Sequence, residues 1–248
     1  MRVSAFFVFA RWLLALQALL SFSYAAAAEP LLQPGDYVTE RGWGRLQMTR
    51  DSAEALKFSI KAMGANGHSC GLRGEIREGR ALLETGEPGK NCIVQFTAVA
   101  EGVDVSSVDP QLCRYYCGAR AMFDGRYLKT AAACVPAAVK RTRDEFKKLY
   151  GRKDFSAARV KLEPLLSDCV VTLEWLETGW IRNDLAVTYY RLGDVAACRR
   201  VLEPLQKDAA GRDADVRNNL PPSDADNWLP VVKAARTNLK LCAEKTPR

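Results

Sequence analysis

One pattern is written twice in this chain. Tyr150, Asp154, Ala157, Leu162, Glu163, Pro164 and Leu165 recur 40 residues later as Tyr190, Asp194, Ala197, Leu202, Glu203, Pro204 and Leu205. Self-similarity at a fixed period of roughly 20–50 residues marks stacked helical hairpins, in which each unit buries its apolar face on the next. Such stacks present surfaces to partners far more often than they house catalysis, so the first leaning is toward binding. The copies also show where each hairpin turns. Asp154 and Asp194 stand where a second helix needs an N-cap, Asp154 ahead of a face built on Ala157, Ala158, Val160, Leu162 and Leu165. Pro164 and Pro204 fall inside those second helices and should kink them.

Around this repeat, periodicity predicts a first helix from Val139 to Leu149, a second from Phe155 to Leu166, and a third starting near Thr172 or Trp180 and running to Leu192. A fourth follows Asp194 and reaches about Lys207. Asp208 to Ala225, with Pro221-Pro222, reads as a loop. Trp228 to Cys242 is amphipathic and should cap the stack.

Upstream the pattern changes. Apolar residues alternate in Leu56–Ile60, Leu72–Ile76, Cys92–Phe96 and Val103–Val105, separated by the turn sequences Gly64-Ala65-Asn66-Gly67, Glu78-Gly79, Glu87-Pro88-Gly89-Lys90-Asn91 and Glu101-Gly102. Short alternating runs at regular spacing predict a small antiparallel sandwich or barrel. The fold class is therefore α+β and multidomain: the β-domain over residues 29–135, then an all-α helical-hairpin domain over residues 136–248.

Residues 1–28 are set apart. Arg2 precedes the apolar stretches Phe6–Phe9 and Trp12–Leu20, and Ala26-Ala27-Ala28 offers a cleavage site, the plan of a secretory signal peptide. No later run is apolar enough to span a bilayer, so no transmembrane span is expected. All eight cysteines (Cys70, Cys92, Cys113, Cys117, Cys134, Cys169, Cys198 and Cys242) follow the leader. In a periplasmic or secreted chain that count reads as disulfides rather than a metal site. Neighbouring strands would be stapled by Cys70–Cys92, one of Cys113 and Cys117 would tie to Cys134, and Cys198 would pair with Cys242. Cys169 would then reach a cysteine of the first half.

Charge is uneven. The whole chain carries +7, of which the leader's two arginines account for two. The first half is neutral, with 13 basic and 13 acidic residues, and the second holds 21 basic against 16 acidic. Nine basic residues fall between Lys140 and Lys161. Nucleic acid is excluded by the export reading. An acidic protein, anionic lipid or peptidoglycan would suit this charge.

Candidate partner-binding residues come from both halves. Arg143 and Asn183 are equivalent in the repeat, and with Lys147, Arg182 and Tyr189 they would line a basic, polar groove for a peptide or carboxylate. In the β-domain His68 follows an Asn-Gly turn, and Tyr115 and Tyr116 lie between Cys113 and Cys117; Tyr is a favoured interface residue. Solvated helix faces and packing around disulfides are the plainer readings of the same residues. One histidine, no nucleophile motif and no phosphate-cradling loop argue against an enzyme. No cofactor or metal is expected.

Several motifs carry a resemblance. Gly35-Asp36-Tyr37, Phe58-Ser59-Ile60, Asn66-Gly67-His68-Ser69-Cys70, Gly74-Glu75-Ile76, Cys92-Ile93-Val94-Gln95-Phe96, Cys113-Arg114-Tyr115-Tyr116-Cys117-Gly118 and Phe123-Asp124-Gly125-Arg126-Tyr127 resemble a domain of exported proteobacterial proteins. They are also similar to the cysteine-stapled β-domains of periplasmic lysozyme inhibitors, including the LprI-type group. That resemblance implies inhibition of lysozyme or another cell-wall hydrolase, the alternative to a non-catalytic binding or scaffold module. It carries over no inhibitory residue, because no loop here matches the one such inhibitors present. The second half is similar to tetratricopeptide repeats, with a period of 40 where that family has 34.

Overall fold

The computed structural model describes residues 31–50 and 55–243; the expected leader lies outside them. The alternating runs form strands because each has one face for the core and one for water. In β3 (Leu56–Met63), Leu56, Phe58, Ile60 and Ala62 are buried while Lys57 and Lys61 are exposed. The other strands among the described residues are β1 (Gly35–Thr39), β2 (Gly44–Arg50), β4 (Ser69–Ile76), β5 (Arg80–Glu84), β6 (Asn91–Val99), β7 (Gly102–Ser107) and β8 (Gly125–Lys129). All pair antiparallel in the order β4-β3-β2-β1-β8-β7-β6-β5. Every strand is paired with its neighbour in sequence, except across β4 and β5, and β8 returns beside β1. The domain is therefore an up-and-down, near-closed barrel-like sheet, the second of the two forms expected.

Register stacks the interior in layers: Ile60 lies opposite both Leu46 and Leu72, and Phe58 opposite Met48 and Gly74. Tyr127 is fully buried, and its hydroxyl donates to the Phe123 carbonyl at 2.7 Å. Burial is the main influence on that phenol and pushes its pKa well up.

The barrel has a seam. At the Arg77–Arg80 turn β4 and β5 share two backbone hydrogen bonds, of 2.8 and 2.9 Å, but among the described residues no ladder joins them beyond it. The free side of β4 is met by a short segment: α1 (Pro110–Cys113), a 3-10 turn over Arg114–Tyr116, and Cys117. Disulfides Cys70–Cys117 and Cys92–Cys113 fasten this segment to β4 and β6, and the Tyr116 hydroxyl donates to the Glu84 carbonyl of β5. These pairings replace the expected Cys70–Cys92 bridge, because β5 runs between the strands that carry those two cysteines. Cys134 pairs with Cys169 rather than with Cys113 or Cys117, which gives Cys169 its partner in the first half, and Cys198 pairs with Cys242 as expected.

The repeat becomes two helical hairpins, α2 (Pro136–Gly151) with α3 (Phe155–Asp168) and α4 (Trp175–Arg191) with α5 (Val195–Leu202). Their turns match in detail. Lys153 and Gly193, equivalent in the repeat, both adopt positive φ, at 64° and 79°. Asp154 accepts from the Ala157 N–H at 3.1 Å, and Asp194 from that of Ala197 at 2.9 Å. The prolines differ: α3 runs through Pro164, whereas α5 stops at Leu202 and Pro204 lies in a 3-10 turn leading to α6 (Gln206–Ala210). The expected loop over residues 208–225 is largely helical, as α7 (Asp213–Asn219) and the start of α8 (Pro222–Leu241). The Asp215 carboxylate accepts from the Arg212 N–H at 2.8 Å at the start of α7, and α8 has proline in its first turn, a start signal that the polar composition concealed.

Helix α8 covers the stack, burying Trp228, Val231, Val232 and Ala235. Gly179 of α4 allows the close crossing, since a Cβ there would stand 2.6 Å from Val231 Cγ1. Among the described residues no helix is long and apolar enough to cross a membrane.

Residues 31–243 belong to one compact unit, and two barrel turns bind it to the helices. The Arg41 N–H donates to the Val171 carbonyl at 2.7 Å. The Asn66 side-chain oxygen accepts from the N–H and hydroxyl of Ser223, both at 3.2 Å, and the Asn66 N–H donates to Asp224 at 3.2 Å. Beside the first contact Gly42 has φ of 67°, and a Cβ would come within 2.5 Å of the Glu174 nitrogen. Gly42→Ala is therefore expected to destabilise the protein by about 2 kcal/mol or more, through left-handed backbone cost plus a clash with backbone that cannot rotate away. Thermal unfolding should move down by several degrees, and an unshifted melt would show that this contact carries no weight.

Candidate partner-binding cleft

Helix α2 carries Lys140, Arg143 and Lys147 at spacings of three and four, which places them on one face. That face borders a cleft of about 400 Å³. Its opposite walls are the barrel at Gly42 and Arg45 and the start of α4 at Glu174 and Glu177. The lining holds four cations and three acids, counting Asp144.

Much of this charge is spoken for. Lys140 pairs with Asp144 at 2.6 Å. Arg143, with its side chain 16% exposed, donates to Glu177 and to Asp184 at 2.9 Å each, which leaves its buried Nε without a partner. Burial is the largest influence on Arg143 and opposes its charge, but the two carboxylates outweigh it and raise the guanidinium pKa. Burial likewise dominates at Asp184 and pushes its carboxyl above the usual range. Glu174 caps α4, accepting from the Leu176 and Glu177 N–H groups at 3.0 and 3.2 Å, and burial raises its carboxyl too. Arg45 and Lys147 are exposed and make no ion pair among the described residues. The cleft is thus lined by two exposed cations without an ion pair among the described residues, Arg45 from the barrel and Lys147 from α2, beside the Arg143 cluster held by its two carboxylates. That arrangement can receive carboxylates.

The structure distributes the sequence candidates over three places. Arg143 and Lys147 meet at the cleft. Asn183 is 3% exposed; its amide donates to the Gly179 and Val231 carbonyls at 3.0 and 3.2 Å, and its oxygen accepts from Asn238 at 2.8 Å. Arg182 donates to the Val201 carbonyl at 3.1 Å, and burial lowers its pKa. Tyr189 donates to Glu163 at 2.5 Å; burial and that carboxylate push the phenol up to about 12. The repeat explains the division. Arg143 of α2 reaches to α4, and the equivalent Asn183 of α4 reaches to α8, so each binds its helix to the next one in the stack.

The barrel candidates lie apart from the cleft. His68 is half-buried beside Gly118, whose added Cβ would sit 2.8 Å from the His68 Nδ1. Tyr115 is 63% exposed and stands edge-on to Tyr116, with ring centroids 5.1 Å apart, on the doubly stapled segment. Sequence reasoning missed Lys140, Arg45 and Glu174. The spacing along α2 could have supplied Lys140. Nothing local pointed to Arg45, which lies almost a hundred residues before α2.

No protein family, curated protein or solved structure matches this chain.

Proposed function

We propose that this chain is an exported binding module without catalytic activity, which receives an acidic segment of a partner protein in the cleft between the barrel and α2. The observation that carries this reading is that two exposed cations without an ion pair among the described residues, Arg45 of the barrel and Lys147 of α2, line one cleft with the fixed guanidinium of Arg143. Lys147 and Arg45 would bind carboxylates. Arg143, held by its two acids, would set the cleft's shape rather than move to a ligand. Export is supported by the cysteines, all eight of which are in disulfides, and by the leader-like residues 1–28. The helical part serves this function in the way expected of tetratricopeptide-like hairpins, as a rigid stack that holds one wall.

The test is a titration of the mature protein with a labelled glutamate-rich peptide and its lysine-rich counterpart. The glutamate peptide should bind, with affinity falling as salt rises, and the paired reversal Arg45→Glu/Lys147→Glu should weaken it at least about tenfold. Equal affinity of the reversed protein would overturn the proposal.

A second reading, inhibition of lysozyme or a related cell-wall hydrolase, is favoured by Tyr115. An exposed aromatic on a segment fixed by two disulfides has the rigidity of an interface anchor. It expects partner contacts centred on Tyr115 instead of Lys147.

A further inference from the structure

A second cleft, of about 470 Å³, opens where four helices and one barrel turn converge. Its aromatic wall is Trp175, half-buried, together with Trp228, their rings tilted by 38° at a centroid distance of 4.8 Å. The Trp228 indole N–H donates to Asp208 at 2.7 Å, which fixes the ring pair. The rim carries Arg41, Lys207 and Arg212, with Asn219 beside them. Arg212 is bound to Asp215 at 3.0 Å, whereas Arg41 and Lys207 are exposed and make no ion pair among the described residues.

Arg41 is placed there deliberately by the backbone. It sits at φ of 61°, a conformation that residues with a side chain rarely adopt, and is pinned by its own N–H to Val171. Such strain persists only where surrounding contacts over-determine it, and here it delivers a guanidinium from the barrel to a pocket built by helices.

We infer that this cleft is a binding site for a carboxylate-bearing glycan, separate from the peptide cleft and independent of that reading. The chemistry matches feature by feature. A fixed indole face takes the C–H face of a sugar ring by apolar contact with a weakly polar component. Asn219 and the Arg212–Asp215 pair offer donors and acceptors to ring hydroxyls at the edge of that face. Arg41 and Lys207 hold a carboxylate by charge-assisted hydrogen bonds. A mostly apolar wall with a few converging polar groups is the usual composition of a small-ligand site.

The test is tryptophan fluorescence of the whole mature protein, titrated with a galacturonic acid tetramer and with the neutral cello-tetramer. The acidic oligomer should give a saturable change and bind at least about tenfold more tightly than the neutral one. Arg41→Ala/Lys207→Ala should abolish that preference, while Lys147→Glu leaves it intact. Absence of a saturable response, equal binding of both oligomers, or displacement of the acidic oligomer by the glutamate-rich peptide would each overturn the inference. So would loss of binding in Lys147→Glu with retention in the Arg41→Ala/Lys207→Ala protein.

Discussion

Replacing Cys70 and Cys117 together by alanine is expected to lower stability by about 4 kcal/mol, the chain-entropy value for a loop closed over their 47-residue separation. The effect should be large for a structural reason as well. The barrel closes at every strand pair except β4 with β5, where among the described residues only the Arg77–Arg80 turn supplies backbone hydrogen bonds. The Cys117 segment meets the free side of β4 at Cys70, and without the bridge that contact depends on Cys92–Cys113, the Tyr116 hydrogen bond and the Gly118 N–H donated to the Ser69 carbonyl at 2.9 Å. An unguarded strand side also invites pairing with other chains, so the variant should aggregate more readily on heating. Urea unfolding without reductant measures the loss. A change below about 1 kcal/mol would mean that the seam is held by packing and not by the staple.

Asn183→Ala should cost about 2–3 kcal/mol, although the residue looks from sequence like a groove-lining contact. Its amide group makes three hydrogen bonds, one within α4 to the Gly179 carbonyl and two that join α4 to α8, and Asn238, itself 7% exposed, loses the side-chain acceptor at 2.8 Å. Removing one partner leaves buried donors and a buried carbonyl to carry the desolvation cost. Lys147→Ala, by contrast, removes an exposed side chain without an ion pair among the described residues and should change stability by less than about 0.5 kcal/mol. Urea midpoints for the two proteins, compared at equal m-values, separate them. A near-neutral Asn183→Ala would place that side chain at a surface after all.

The contrast between Asn183 and Lys147 shows what was legible in sequence. Strand alternation and the 40-residue repeat were both local signals, and they correctly announced a barrel-like sheet followed by helical hairpins. Turn chemistry was equally local, so the Asp154 and Asp194 caps could be placed from the chain alone. The failures are of two kinds. The first is polar helices: α7 and the start of α8 have few apolar residues, and their composition resembled a loop although proline stood ready for the first turn of α8. The second is anything that depends on which surfaces meet. Cys70 and Cys92 are not bridged because β5 intervenes, a fact of strand order. Arg143 and Asn183 share a repeat position, but only the stacking order reveals that each points to the next helix. Arg45 joins the cleft from another part of the chain altogether, brought there by the Gly42 turn that docks on Glu174.

The most direct test of the partner-binding account is site-specific photo-crosslinking in the whole protein. A photoreactive residue is placed at position 147 in one protein and at position 115 in another, and the adducts are compared. The account expects an adduct from position 147 with an acidic protein, abolished when Arg45 is changed to glutamate, and none of comparable yield from position 115. Adducts confined to position 115, or an adduct at position 147 that survives Arg45→Glu, would contradict it.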